Sequence, residues 1–444
     1  MPFCCKKATP AIFIHATVLE RGNIEKGAPY TFQAQVFQHR WLASYDICGF
    51  RVSKKAGKLF SHNPIFAQIL ISYMKFIVSS SALLKQLQQI SGVINANTVL
   101  PILEDFLFDV QKNLLSVVAT DLETVMKIQL EVEAKDTGRV CIPAKILMDS
   151  LKNIPEQPLT FNIDKNYAVE ITSDNGKYKV MGENPDNFPK DPVADETSSF
   201  TVASSALVTA INKTLFAVSN DDLRPAMTGV FFEMDSKGLQ FVATDAHRLV
   251  RYKRTDVSCP KNDTLIVPKK PLTLLKSAMP VNDDELTVSY NSNHLFVKHG
   301  TTTLSCRLID ARFPDYKVVI PTDNPYKLTV NRTDFQGALR RVGIFSNKST
   351  NQVVLSISGS QLVLTAQDID FSFEGNERMK CQYNGEDLQI AFNAKFLIEM
   401  LSATDTEEVT VELSTSTKAG IIRPGEQDEN EELMMLVMPL MLNT

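Results

Sequence analysis

The sequence predicts an α+β chain built from three copies of one module, each copy made of two strand–helix–strands halves. Two observations carry this. The chain is self-similar at a spacing of about 125 residues, and each copy alternates short period-2 apolar runs with segments whose apolar residues recur at helical spacing. The copies open with FIVSSSALLKQL at 76, FTVASSALVTAI at 200 and LTVNRTDFQGAL at 328. Each is a short β run that meets a helix-starting polar group and then an amphipathic helix. LLSVVATDLE at 114, LQFVATDAHR at 239 and LVLTAQDIDF at 362 follow. CIPAKILMDSL, IVPKKPLTLL and AFNAKFLIEML then place Pro143, Pro268 and Asn393 where a strand turns into a second helix. Phe188-Pro189, Phe313-Pro314 and Met438-Pro439 close the copies. Alternating runs such as LTFNID, YAVEIT and KYKVMG, bounded by turns such as SDNG, supply the remaining strands. Sheet on one side and two helices on the other is the arrangement such a unit favours.

The Pro- and Asp-rich stretches ENPDNFPKDPVADET and DARFPDYKVVIPTDNP mark the joins. They give modules at 74–195, 196–322 and 323–444. Residues 1–73 match none of the copies, carry nine Lys/Arg against three Asp/Glu, and hold the only tryptophan, Trp41. They read as an extension, expected to be poorly ordered, ahead of a second start at Met74. A basic arm touching nucleic acid is the alternative.

At 444 residues the chain is too long for one ordinary core. A 44% hydrophobic and 22% charged composition is that of a globular protein. No apolar run approaches the roughly 20 residues of a membrane helix, and no signal peptide is evident. Seven scattered cysteines form no C-x-x-C pair, which fits a reducing cytoplasm. No cofactor is expected. The body holds three histidines, His247, His294 and His299, with no metal-binding spacing, and no phosphate- or nucleophile-loop motif.

VATDAHRLV at 242–250 sets Asp245 beside His247 and Arg248, a grouping that suits a general base or a metal ligand. Asp121 and Asp368 occupy the same place in the other copies. A triplicated aspartate fits a turn that accepts backbone N–H groups better than it fits catalysis. His247 and Arg248 belong to the middle copy alone, so they are candidates for a function specific to it.

Six helices are predicted at roughly 80–94, 143–153, 204–218, 268–279, 331–345 and 393–403. They carry eleven basic residues against Asp149, Asp334 and Glu399, a net +8 within a body of net −11. Helices on one side of the sheets would therefore make a positive face and leave the opposite face strongly negative. Such a face attracts phosphate without reading sequence. No aromatic-rich basic stripe suggests single-strand stacking.

The body resembles the bacterial sliding-clamp family, the β subunits of DNA polymerase III. The carriers are the MKF opening, VLPIL at 99–103, VATDLE, VATDAHRL, VPKK, RFPDY at 312–316, FN at 392–393 and VMPL at 437–440, in family order across 74–444. The resemblance implies a non-enzymatic, cytoplasmic processivity factor: a head-to-tail homodimeric ring with helices inward and sheets outward around duplex DNA. Its partners would be the DNA, bound independently of sequence, and the replicative polymerase and clamp loader, held through short linear peptides. No membrane is involved.

For residues, it implies a peptide cleft of Met227, Thr244, His247, Arg248, Leu249, Pro314, Val319, Asn393, Val437, Met438, Pro439 and Leu440. Lys145, Arg224, Lys269 and Lys270 would face DNA, Arg224 by position serving either site. Tyr178 and Val180 would meet the other chain's Ile344 and Phe345, although all four also suit ordinary core positions. Val318 and Met441 stand where some relatives carry arginine, and Asn97 replaces a basic residue. A DNA-independent peptide scaffold, and an acid–base or metal enzyme around Asp245 and His247, are the competing readings.

Overall fold

Among the described residues six α-helices follow strands directly, as the repeat predicts: α1 (Ser80–Ile90), α2 (Ala144–Asn153), α3 (Ser204–Thr214), α4 (Lys269–Ala278), α5 (Arg332–Val342) and α6 (Ala394–Ser402). The computed structural model describes residues 74–95, 98–195, 197–259 and 261–442. The expectations for residues 1–73, including Trp41, and for Asn97 concern residues outside these.

Helix starts are set by local chemistry. Ser79 accepts from the Ala82 N–H, Asn331 from Thr333 and Asp334, and Asn393 from Lys395 and Phe396. Pro143 and Pro268 cap α2 and α4 without a side-chain bond. The odd-numbered helices each end in a 3₁₀ turn, at Ser91–Val93, Leu215–Ala217 and Gly343–Phe345.

The repeat extends to single hydrogen bonds. The first residue of each odd helix ties to the loop after the even helix of its copy. Ser80 donates to Pro155 O at 3.0 Å, Ser204 to Pro280 O at 2.5 Å and Arg332 to Thr406 O at 2.8 Å. The turn aspartates behave similarly, with one difference. Asp121 Oδ1 accepts from Glu123 and Thr124, and Asp245 Oδ1 from His247 and Arg248. Asp368 accepts only from Asp370. Its turn is two residues longer, so it pairs with Phe373 in the ladder. The third-copy counterpart of Arg248 in the ladder is therefore Phe373, where sequence spacing indicated Phe371.

The strands of the described residues form four antiparallel sheets, and two of them cross from one copy to the next. Thr302–Arg307 of the middle copy pairs with Thr124–Glu131 of the first, Leu304 opposite Met126. Glu431–Val437 of the last copy pairs with Arg248–Arg254 of the middle one, Met435 opposite Val250. The outer two sheets end on Lys177–Met181 and on Phe373–Lys380.

One continuous apolar core takes residues from all six helices and from one face of every sheet. Helices therefore share one side. Smaller clusters lie on the opposite face, around Val118 and Cys141 and around Leu249 and Leu436. Among the described residues no helix is long and apolar enough to cross a membrane.

Candidate functional site: the junction of the second and third copies

The strand Arg248–Arg254 alternates, so neighbouring residues serve opposite faces. Val250 and Tyr252 enter the helix-side core, whereas Leu249 enters the outer cluster with Phe313, Tyr316 and Leu436. The chain beyond Val437 is held by two backbone bonds. Met438 N donates to His247 O at 2.9 Å, and Leu440 N to Ala391 O at 2.7 Å. Two residues on, Asn393 caps α6 and donates to Thr350 O at 3.0 Å.

The terminal VMPL, the His247 turn and the Asn393 region are thus brought together. Ala226, Phe313 and Ile320, sequence neighbours of Met227, Pro314 and Val319, pack on the same outer cluster. Val319 and Met438 are about half exposed, and His247 is exposed. Thr244, Leu249 and Val437 are buried, and Val437 is a ladder residue between Arg248 and Gly420. Pro439 and Leu440 are partly exposed. Exposed His247 and half-exposed Met438 thus lie side by side at this junction.

Arg248, which the resemblance assigns to the peptide cleft, is turned away from solvent. Its side chain is 8% exposed and lies between the rings of Phe216 and Phe396, 5.2 and 4.5 Å from their centroids. Nε donates to Asp245 Oδ2 at 3.0 Å, one Nη to Phe216 O at 2.7 Å, and the other to Glu399. As the first ladder residue it points to the helix side, away from Leu249. Phe216, Phe396 and Glu399 were not anticipated. The i, i+3 spacing of Phe396 and Glu399 on α6 was a visible signal.

Both Asp245 oxygens are engaged, Oδ1 by two backbone N–H groups and Oδ2 by the guanidinium. Among the described residues no group of three or more His, Cys, Asp or Glu side chains is placed to hold a metal ion.

On the helix side a cavity of about 550 Å³ is lined by Phe216, Asn220, Arg248, Lys269, Lys276 and Glu399. Lys269 Nζ donates to Asn220 at 2.8 Å, and the residue is half-buried. Arg224 pairs with Asp221 at 2.9 Å. Lys145 is exposed on α2. Lys270 is engaged across the first junction, donating to Asp121 at 2.5 Å and to Val93 O and Asn95 at 2.9 Å each. Tyr178, Ile344 and Phe345 are 40%, 65% and 39% exposed, so they are not core positions; Val180 is half-buried.

Three fused copies of one module, joined through shared sheets, define a tandem-module protein. The sequence matches the DNA polymerase III beta subunit family in all three of its parts: the N-terminal domain over residues 74–192, the central domain over 201–315 and the C-terminal domain over 317–440. The chain belongs to that family. It is similar to the beta sliding clamp of Pseudomonas aeruginosa, 29% identical over 373 residues that cover 83% of this chain and 100% of that protein. The beta sliding clamp of Staphylococcus epidermidis is 27% identical over 371 residues, 82% of this chain and 98% of that one. The crystal structure of the DNA polymerase III subunit beta from Pseudomonas aeruginosa superposes with a TM-score of 0.79 at 28% identity, covering 83% and 100%. The Thermotoga maritima beta subunit superposes at 0.77 with 27% identity, covering the same shares.

Proposed function

We propose that the chain is a non-catalytic processivity factor: two copies close head to tail around duplex DNA and tether the replicative polymerase and the clamp loader through the outer groove. The observation that carries it is the pair of unmatched sheet edges. Hairpin register makes Met126, Val250 and Gly375 equivalent, through their pairing with Ala119, Ala243 and Ala366. It likewise makes Tyr178, Leu304 and Met435 equivalent, through Ile171, Val297 and Ile422. Met126 faces Leu304 and Val250 faces Met435 inside the chain. Gly375 and Tyr178, on the two edges, are the members left over.

A second copy supplies the missing pairing in each direction, which is a heterologous contact whose repetition closes. In this reading Tyr178 lies opposite the partner's Gly375 and Lys179 opposite the partner's Glu374, by analogy with the two junctions inside the chain. A side chain at 375 would lie 2.6 Å from the Phe345 ring, so only glycine leaves that ring flat against the strand for Tyr178 to cover. Exposed strand edges flanked by exposed apolar residues are otherwise an aggregation hazard.

With all helices on one side, their basic excess lines the enclosed face and holds phosphate without sequence preference. The groove of Leu249, Val319, Met438 and Leu440 suits an apolar linear peptide. The test is retention on DNA: loaded protein should stay on a closed circle and be lost when the circle is linearised. Equal loss from both forms would leave only a peptide scaffold.

A further inference from the structure

In every copy the segment after the last strand is pinned to the strand that leads into the second helix. In the first copy Cys141 N donates to Glu183 O at 3.2 Å, and Glu183 N to Cys141 O at 2.9 Å. Ile309 N donates to Ile266 O at 3.0 Å in the second copy, and Leu440 N to Ala391 O at 2.7 Å in the third. The three pins occupy one place in the repeat. Glu183, Ile309 and Leu440 stand at the same distance beyond the equivalent residues Tyr178, Leu304 and Met435.

What surrounds the pins differs. The residue paired with the start of the second helix is Asp105 in the first copy, Gly229 in the second and Gln352 in the third. Ile309 and Leu440 are apolar where the first copy has Glu183. Two acids therefore meet at the first pin alone. Asp105 is 4% exposed, with Oδ2 unpartnered. Gly182 brings the segment close, since a Cβ there would lie 2.5 Å from Cys141 O. The titratable and charged groups around Asp105 are Glu104 in the preceding 3₁₀ turn, Glu183 in the pinned segment, and Cys141 and Arg139 on the facing strand. The first pin also has more to hold. Lys177–Met181 ends its sheet and pairs on one side, whereas Thr302–Arg307 and Glu431–Val437 are inner strands.

We propose that the Cys141–Glu183 pin is a proton-controlled latch on the first copy's edge strand, closed while Asp105 is protonated and released as it ionises. Ionisation sets a buried carboxylate against Glu183 and Glu104. Swinging Glu183 away with its segment admits water and relieves both the burial and the repulsion. In the closed latch Asp105 titrates at about 7, and in water it returns toward 3.8. The closed form thus binds more protons across that window, so opening rises with pH and levels off above about 7. Any consequence for ring closure rests on the head-to-tail reading; the latch itself does not.

Site-resolved labelling of Cys141 with N-ethylmaleimide, on the full chain at pH 6 and pH 8, tests it. Cys141 is fully buried, and burial, then Asp105 and Glu183, push its thiol up to about 12. It should react only when the pin opens. Dividing the wild-type rate by that of Asp105→Asn at the same pH removes the thiol's own pH dependence. That ratio should rise about tenfold from pH 6 to pH 8, the linkage of one carboxyl. The wild-type rate divided by that of Glu183→Leu should also rise, by less, which tests the latch however Asp105→Asn folds. Cys306, buried in the second copy, should show no rise in either ratio. Flat Cys141 ratios would overturn the latch. So would a parallel rise at Cys306, which would mean that Asp105 acts on global unfolding. Neither outcome depends on whether the protein dimerises.

Discussion

Single residues show how burial redirects a charge. Arg248 reads from sequence as a polar anchor beside a groove, but strand alternation turns it inward, where it has three hydrogen-bond acceptors and two aromatic faces. Sequence spacing found its position, and only the register of Arg248–Arg254 against Glu431–Val437 reveals its direction. Asp105 is the opposite case, a carboxyl buried without enough partners. It is 4% exposed, faces Pro143 at the start of its strand, and its Oδ2 has no hydrogen-bond partner. Burial, then the charges of Glu183 and Glu104, push it up from 3.8 to about 7. The native state therefore binds more protons than the unfolded state between about pH 4 and 7, and stability from this group falls as pH rises through that window. Asp105→Asn should flatten the fall and be more stable than wild type at pH 8 by about 1–3 kcal/mol. Urea melts at pH 5 and pH 8 check this. Parallel pH dependence in the two proteins would show that another group is responsible.

Among the elements, helices were the most legible. Apolar spacing locates all six starts, and the residues Ser79, Pro143, Pro268, Asn331 and Asn393 mark five of them, because a helix start is set locally; α3 begins after Ala203, which makes no side-chain cap. Sheet sharing was not legible. An alternating run such as TTLSCR at 302–307 announces a strand, but not that its neighbour lies in the preceding copy. The terminal apolar run combined two roles that sequence alone could not separate. Glu431–Val437 is an inner strand of a nine-stranded sheet, paired on both sides. Only Met438 onward lies beyond the ladder, held by His247 O and Ala391 O. Removing residues 438–444 should therefore leave the fold and dimer intact while peptide binding drops at least tenfold, since Met438 and Leu440 would each contribute roughly 1–2 kcal/mol of apolar contact. Extending the deletion to Leu433 should unfold the junction. Peptide titration beside thermal melts of both truncations decides it. Full-strength peptide binding by the shorter truncation would mean that the groove does not use the tail.

For the whole molecule, the useful quantity is how charge is divided between holding copies together and attracting DNA. A count over the helices treats Lys269 and Lys270 alike. Their geometry does not. Lys269, the first residue of α4, is half-buried with one neutral partner, Asn220. Lys270 has two carbonyl-type acceptors and the Asp121 carboxylate, and bridges the first junction. A lysine already neutralised by a fixed carboxylate releases few counterions when DNA approaches, so it adds little to the salt slope. Lys269→Glu is therefore expected to lower the slope of log affinity against log salt by about 0.9 with little change in melting temperature. Lys270→Glu should instead set two acids against each other at Asp121 and lower the melting temperature by several degrees, a loss on the order of 2 kcal/mol or more. The check is to measure both quantities for both variants. Equal salt slopes for Lys269→Glu and wild type would remove α4 from the DNA-facing surface, and an unaltered melt for Lys270→Glu would mean that the first junction is held by its shared sheet alone.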